Sequence, residues 1–187
     1  MLAYVFWHRV SPGVDKRNYE SLLIKFHEQL NLVGGHSLLG SSTYMVHGVQ
    51  WMPNETQVYE DWYYLESSSY LDVLNDVAVS PQLREYHDRV ASLSLDGRGA
   101  LLGLKSGKLT FRDRDYATWL VKPRGTKYDE FYLSVRPLLK GRTLWRRLLA
   151  MGPSPEFCIT GENELDVGIK VVREMIFKSN SLGPVAR

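Results

Sequence analysis

The acid–base chemistry of this chain rests on five histidines and an adjacent carboxylate pair, Glu60-Asp61. His8 and His47 fall in runs that alternate like strands, and Glu60 and Asp61 lie within a third such run. If the three strands are neighbours, His8, His47 and one carboxylate converge in the interior of the fold. Histidine titrates near neutral pH, so such a group serves general acid–base catalysis. Two histidines and a carboxylate also match a common metal-ligand set. No H-x-x-x-H or H-x-H spacing fixes a metal geometry, so no metal is assigned. The plain alternative is that each histidine is a hydrogen-bonded sheet residue. His87, beside Tyr86 on an apolar helix face, reads as a satisfied core histidine; His27 flanks a helix and His36 sits in a glycine-flanked loop.

Aromatic residues are the second resource. Trp7, Trp51, Trp62, Trp119 and Trp145, with Tyr44, Tyr59, Tyr63 and Tyr64, all fall on expected strands. Trp7, Trp62, Tyr64 and Trp119 are candidates to line a pocket for a flat apolar or aromatic ligand; the competing reading is packing between two sheets. Arg146 and Arg147 are consecutive on a strand, so one must face inward and needs a partner. Arg147 is a candidate for a ligand carboxylate, with Glu60 or Asp61 of the other half as the internal alternative. Cys158 has no base nearby in sequence and reads as a small buried hydrophobe. Phosphate-loop, dinucleotide and nucleophile-elbow motifs are missing.

These residues need elements to hold them. Residues 2–9 read as a strand with Leu2, Tyr4, Phe6 and His8 on one face. Asp15 caps a helix whose Tyr19, Leu22, Leu23, Phe26 and Leu30 recur at helical spacing. Residues 42–51 and 57–65 form an antiparallel hairpin about Pro53-Asn54. Helical pieces over 67–77 and 81–90 lead to a strand at 97–104. The order β-α-β-β-α-β is the split βαβ, ferredoxin-like arrangement, whose open sheet face needs a cover. The second half repeats it: a strand at 116–121, a helix from Tyr128 to Gly141, and strands at 143–151 and 156–160. Shared landmarks run in the same order, among them Tyr4-x-x-Trp7 with Tyr116-x-x-Trp119 and Pro12-Gly13 with Pro123-Arg124-Gly125. Residues 169–177 fit a helix face or a strand equally, and the tail from 179 to 187 reads as mobile.

At 187 residues and a net charge of +2, composition excludes disordered and fibrous classes, and one cysteine excludes an intrachain disulfide. No apolar run spans a bilayer, and the first ten residues read as a strand, not a signal peptide, so the expectation is a cytoplasmic protein without a membrane partner. The small net charge conceals −4 over 1–106 and +6 over 107–187. A basic patch is one reading; two halves that pair internally is the favoured one, and no motif points to nucleic acid.

Element order and aromatic landmarks over about 1–160 resemble the dimeric α/β-barrel superfamily, which includes antibiotic-biosynthesis monooxygenases, EthD-like, NIPSNAP-like and stress-responsive barrel proteins. The stretch 70–90 is most similar to an EthD-like helical segment. The resemblance implies an α+β fold of two tandem ferredoxin-like units, 1–106 and a degenerate 107–187, packed sheet to sheet as a barrel within one chain. It also implies a small-molecule pocket between the sheets, worked by a cofactor-independent oxygenase or isomerase. His8 and His47 would then move protons, Glu60 or Asp61 orient them, and Trp62 stack on substrate. The rivals are a non-catalytic assembly protein joined through strand edges, and a haem protein with His47 or His87 as axial ligand. A homo-oligomer is expected.

Overall fold

The computed structural model describes residues 1–53 and 56–182. Eight antiparallel strands close into a barrel in the order β1-β3-β2-β8-β5-β7-β6-β4. They are β1 (Leu2–Val10), β2 (Gly40–His47), β3 (Val58–Leu65), β4 (Ser94–Ser106), β5 (Arg114–Leu120), β6 (Thr143–Arg147), β7 (Phe157–Gly161) and β8 (Ile169–Lys178). Four helices pack outside: α1 (Lys16–Val33), α2 (Leu71–Ala78), α3 (Arg84–Leu93) and α4 (Tyr128–Val135). No helix among the described residues is long and apolar enough to cross a membrane.

The strands form because alternate residues serve two cores. On β1, Ala3, Val5 and Trp7 point into the barrel, while Leu2, Tyr4 and Phe6 face the helices. β3 is buried along its whole length because barrel and helices cover both of its faces. Helix α1 starts where Asp15 accepts a hydrogen bond from the Asn18 N–H at 2.8 Å. It buries Tyr19, Leu22, Leu23, Phe26, His27 and Leu30, a stripe at helical spacing. Helix α4 lays Phe131 and Val135 on Leu144, Phe157 and Ile159 of β6 and β7.

Several boundaries differ from the sequence reading. β2 stops at His47, and Val49 and Trp51 follow in a turn that folds back over the barrel end. The expected turn at Pro53-Asn54 lies partly outside the described residues. The ambiguous segment is a strand: Val171, Arg173 and Met175 face inward, and a bulge opposite Thr43 and Tyr44 interrupts the alternation. Ser179 is buried, its hydroxyl accepting from the Ser41 N–H at 3.1 Å, so the tail is anchored at its start. The rest of the tail, from Gly183 onward, lies outside the described residues. Between β7 and β8 the chain forms no helix.

The barrel interior is solid. Trp7, Trp62, Trp119 and Trp145 are each at most 1% exposed, with ring centroids 5.5 Å apart for Trp7–Trp119 and 5.3 Å for Trp62–Trp145. Among them runs a buried polar chain. The Trp7 and Trp62 indoles each donate to Glu60 at 2.6 Å, and Arg173 forms a bidentate pair with Asp115 at 2.7 Å while reaching Glu60 at 3.5 Å.

Candidate active site

The cavity suited to a small molecule lies outside the barrel. It occupies about 530 Å³ between the outer face of β4-β1-β3 and helices α1, α2 and α3. This corrects the expectation of a pocket between the sheets, where the tryptophans leave the interior packed. Its walls are mostly apolar, with Phe26, Leu30, Leu74, Ala78 and Val90 from the helices and Tyr4 and Phe6 from β1. His8, Asp61 and Tyr63 form a polar floor.

That floor is a continuous network. His8 Nε2 lies 3.1 Å from Asp61 Oδ2, and the Tyr63 hydroxyl donates to the same oxygen at 3.2 Å. Thr43 donates to Asp61 Oδ1 at 2.5 Å, and His27 Nε2 stands 3.3 Å from that oxygen. The other nitrogen of His27 meets Ser41 Oγ at 2.8 Å. His8 Nδ1 meets the Tyr19 hydroxyl at 2.7 Å, and Tyr19 reaches Ser94 Oγ at 2.9 Å. Ser94 donates to the Val90 carbonyl and lies on the cavity wall. Burial opposes a charge on Asp61, but the imidazoles of His8 and His27 outweigh it and hold the carboxyl well below the usual carboxylate range. Burial raises the Tyr19 hydroxyl above its ordinary value, and it pushes Tyr63 well up, with the Asp61 charge adding to the effect.

The structure brings His8 and Asp61 together and separates the other two acid–base candidates from them. His47 ends β2 and is exposed. Glu60 points into the barrel, where burial raises its carboxyl above the ordinary value against the pull of Arg173 and two indoles. Convergence in the interior therefore fails for both histidines: His8 lies on the helix-covered face and His47 on the surface. Trp7, Trp62, Tyr64 and Trp119 fill the barrel and do not line the cavity beneath the helices. Arg146 lies over the Tyr128 ring at 3.8 Å and pairs with Glu156 at 2.9 Å; Arg147 on the inward register donates to the carbonyls of Gly152 and Ser154. Neither pairs with Glu60 or Asp61; Arg173 is the cation that reaches Glu60 across the halves.

Of this network the sequence reading singled out only His8 and Asp61; Ser41, Thr43, Tyr63 and Ser94 carry no sequence signal of a site, and Tyr19 and His27 read as something else. Tyr19 and His27 sit on the buried stripe of α1, eight residues apart and hence on one face, and such a stripe reads first as core.

No protein-family model matches the chain, and no curated protein matches its sequence. Solved structures do match its fold. A "putative monooxygenase" from Fusobacterium nucleatum superposes with a TM-score of 0.68 at 11% identity, covering 100% of this chain and 97% of the other. A "putative monooxygenase" from Lactobacillus acidophilus gives 0.57 at 8% identity, covering 100% and 99%. A "putative chlorite dismutase" gives 0.54 at 7% identity, covering 94% and 95%. At these identities the likeness is one of fold, the ferredoxin-like barrel.

Proposed function

We propose that the protein binds a small apolar or aromatic molecule in the cavity beneath α1–α3 and removes a proton from it, as a cofactor-independent oxygenase or isomerase. The observation that carries this is the Tyr19–His8–Asp61 chain at the edge of an otherwise apolar cavity. A hydroxyl, an imidazole and an orienting carboxylate are the parts of an activated base relay. With Asp61 ionised, His8 donates from Nε2 to the carboxylate and accepts from Tyr19 at Nδ1. Ser94 Oγ is the member of the chain on the cavity wall, and in the relay its single proton turns from the Val90 carbonyl to Tyr19, whose own proton points at His8. A proton leaving substrate there passes through Tyr19 to His8, and Asp61 stabilises the imidazolium. The substrate carbanion is then reprotonated at a neighbouring carbon in an isomerase, or meets dioxygen in an oxygenase. The likeness to two structures described as monooxygenases supports the second route.

A haem fits poorly here. His47 does not line the cavity beneath the helices; His87 does, but among the described residues that cavity presents no lysine or arginine to haem propionates. The assembly rival loses its strand edges, because every strand has two neighbours.

We further read the chain as two ferredoxin-like units, 1–106 and 107–187, the second lacking one helix. Two strand orders support this: β4-β1-β3-β2 and β8-β5-β7-β6 both run fourth, first, third, second within their halves. Trp7 and Trp119, paired landmarks in the sequence, both face inward.

The test is solvent-deuterium exchange and dioxygen uptake with a panel of hydroxylated aromatic compounds. Exchange lost in both His8→Gln and Ala78→Trp, the latter filling the cavity, supports the reading; uptake assigns oxygenase and exchange alone isomerase. Exchange that survives Ala78→Trp, or no exchange with any compound, overturns it.

A further inference from the structure

A second cavity, of about 460 Å³, opens at the end of the barrel where β6 runs into β7. It shares no residue with the cavity beneath the helices. Trp51, Val121, Pro153, Pro155 and Ile169 give it apolar walls, and Arg147 is its cation. Glu156, also on its wall, is already neutralised: Arg146 lies 2.9 Å away and the Tyr128 hydroxyl donates to it at 2.8 Å.

Arg147 is differently placed. It pairs with no carboxylate among the described residues. Its Nη1 is fixed by the Gly152 and Ser154 carbonyls, which neutralise no charge and hold the guanidinium still. Its Nε, like the indole N–H of Trp51, is shut off from water, which leaves the Nη2 edge to meet an anion. A guanidinium N–H attracts a carboxylate, and a guanidinium held still by two carbonyls loses little freedom on binding one.

We propose that this cavity is a binding site for an organic carboxylate with an apolar or aromatic body, anchored by Arg147 and packed against Trp51. The apolar walls take the body and the guanidinium takes the anion. The site is independent of the Tyr19–His8–Asp61 chain and of the function proposed for it.

Indole-3-carboxylate and 1-naphthoate, each beside its primary amide, are the probes. Binding is read on the full chain by calorimetry and by the indole N–H resonances, with Trp51→Phe identifying the Trp51 signal. The expected result is saturable carboxylate binding that shifts the Trp51 resonance and is at least tenfold tighter than amide binding. Arg147→Gln should remove that preference, and Ala78→Trp should leave it intact. Equal affinity for acid and amide in the wild-type protein overturns the proposal without any variant. So do the absence of saturable binding and the loss of binding in Ala78→Trp, which would place the ligand under the helices. Should Arg147→Gln fail to fold, Arg147→Lys is the second variant: it keeps the charge but loses the guanidinium held by Gly152 and Ser154, and should weaken the carboxylate alone.

Discussion

Glu60 and Asp61 are neighbours in the chain, and their carboxylates lie on opposite sides of β3: one inside the barrel among Trp7, Trp62 and Arg173, the other beneath the helices among His8, His27, Thr43 and Tyr63. Burial dominates at Glu60, because Arg173 commits its fork to Asp115 and stands 3.5 Å off; its carboxyl is raised. At Asp61 burial also opposes the charge, but the imidazoles of His8 and His27 outweigh it, and its carboxyl is lowered.

The two groups therefore bias stability in opposite directions with pH. Asp61, lowered on folding, stabilises above its unfolded value of about 3.9, and this is lost as pH falls toward its folded value. Glu60, raised on folding, favours the fold below its unfolded value of about 4.3, and this is lost as pH rises through the folded value. Asp61→Asn should cost about 3–5 kcal/mol at pH 7, as expected for a buried ion pair broken on one side. Its denaturation midpoint should also fall less than that of the wild type between pH 5 and 2. A variant as acid-sensitive as the wild type would contradict the assignment.

Gly97 shapes the cavity floor. A Cβ there would collide with Phe6 Cζ, because the Phe6 ring lies across β4 at that glycine. Gly97→Val should push the ring toward the cavity, cost about 1–3 kcal/mol from overpacking, and weaken any ligand of the cavity. Unchanged ligand affinity in a folded variant would show that the ring moves elsewhere.

Cys158 should be inert. It faces the barrel interior at 0% exposure, and burial pushes its thiol well above the ordinary value. A disulfide reagent should find no reactive thiol in the native protein and one after denaturation. Rapid native labelling would mean that the barrel opens.

Much of the scaffold was legible because its physical signals are local. The alternation on β1, the Asp15 cap and the apolar stripe of α1 each follow from a few consecutive residues. β3 was harder: with both faces buried, polarity does not say which of Glu60 and Asp61 points inward. The same ambiguity hid β8, where Arg173 sits among apolar residues and a bulge spoils the period of two, so the cation facing Glu60 was missed. Placing His8 beside Asp61 required only that β1 and β3 be neighbours. Finding Tyr19 and His27 required knowing that α1 lies over them, which depends on packing between residues far apart in sequence.

The expected homo-oligomer drew on a superfamily in which two chains supply the two sheets. Here β2 pairs with β8 and β4 pairs with β6, so the barrel closes within one chain. The sheet faces that two chains would press together are consumed by Trp7, Trp62, Trp119 and Trp145, and no strand edge is left to recruit a second copy. A dimer would have to form through helices or loops, whose exposed apolar side chains, such as Leu32, Val121 and Leu149, are scattered among several elements. Sizing with light scattering should give a mass near 21.5 kDa at micromolar concentration. A concentration-independent dimer would show that one of those outer surfaces, rather than the barrel, holds the chains together.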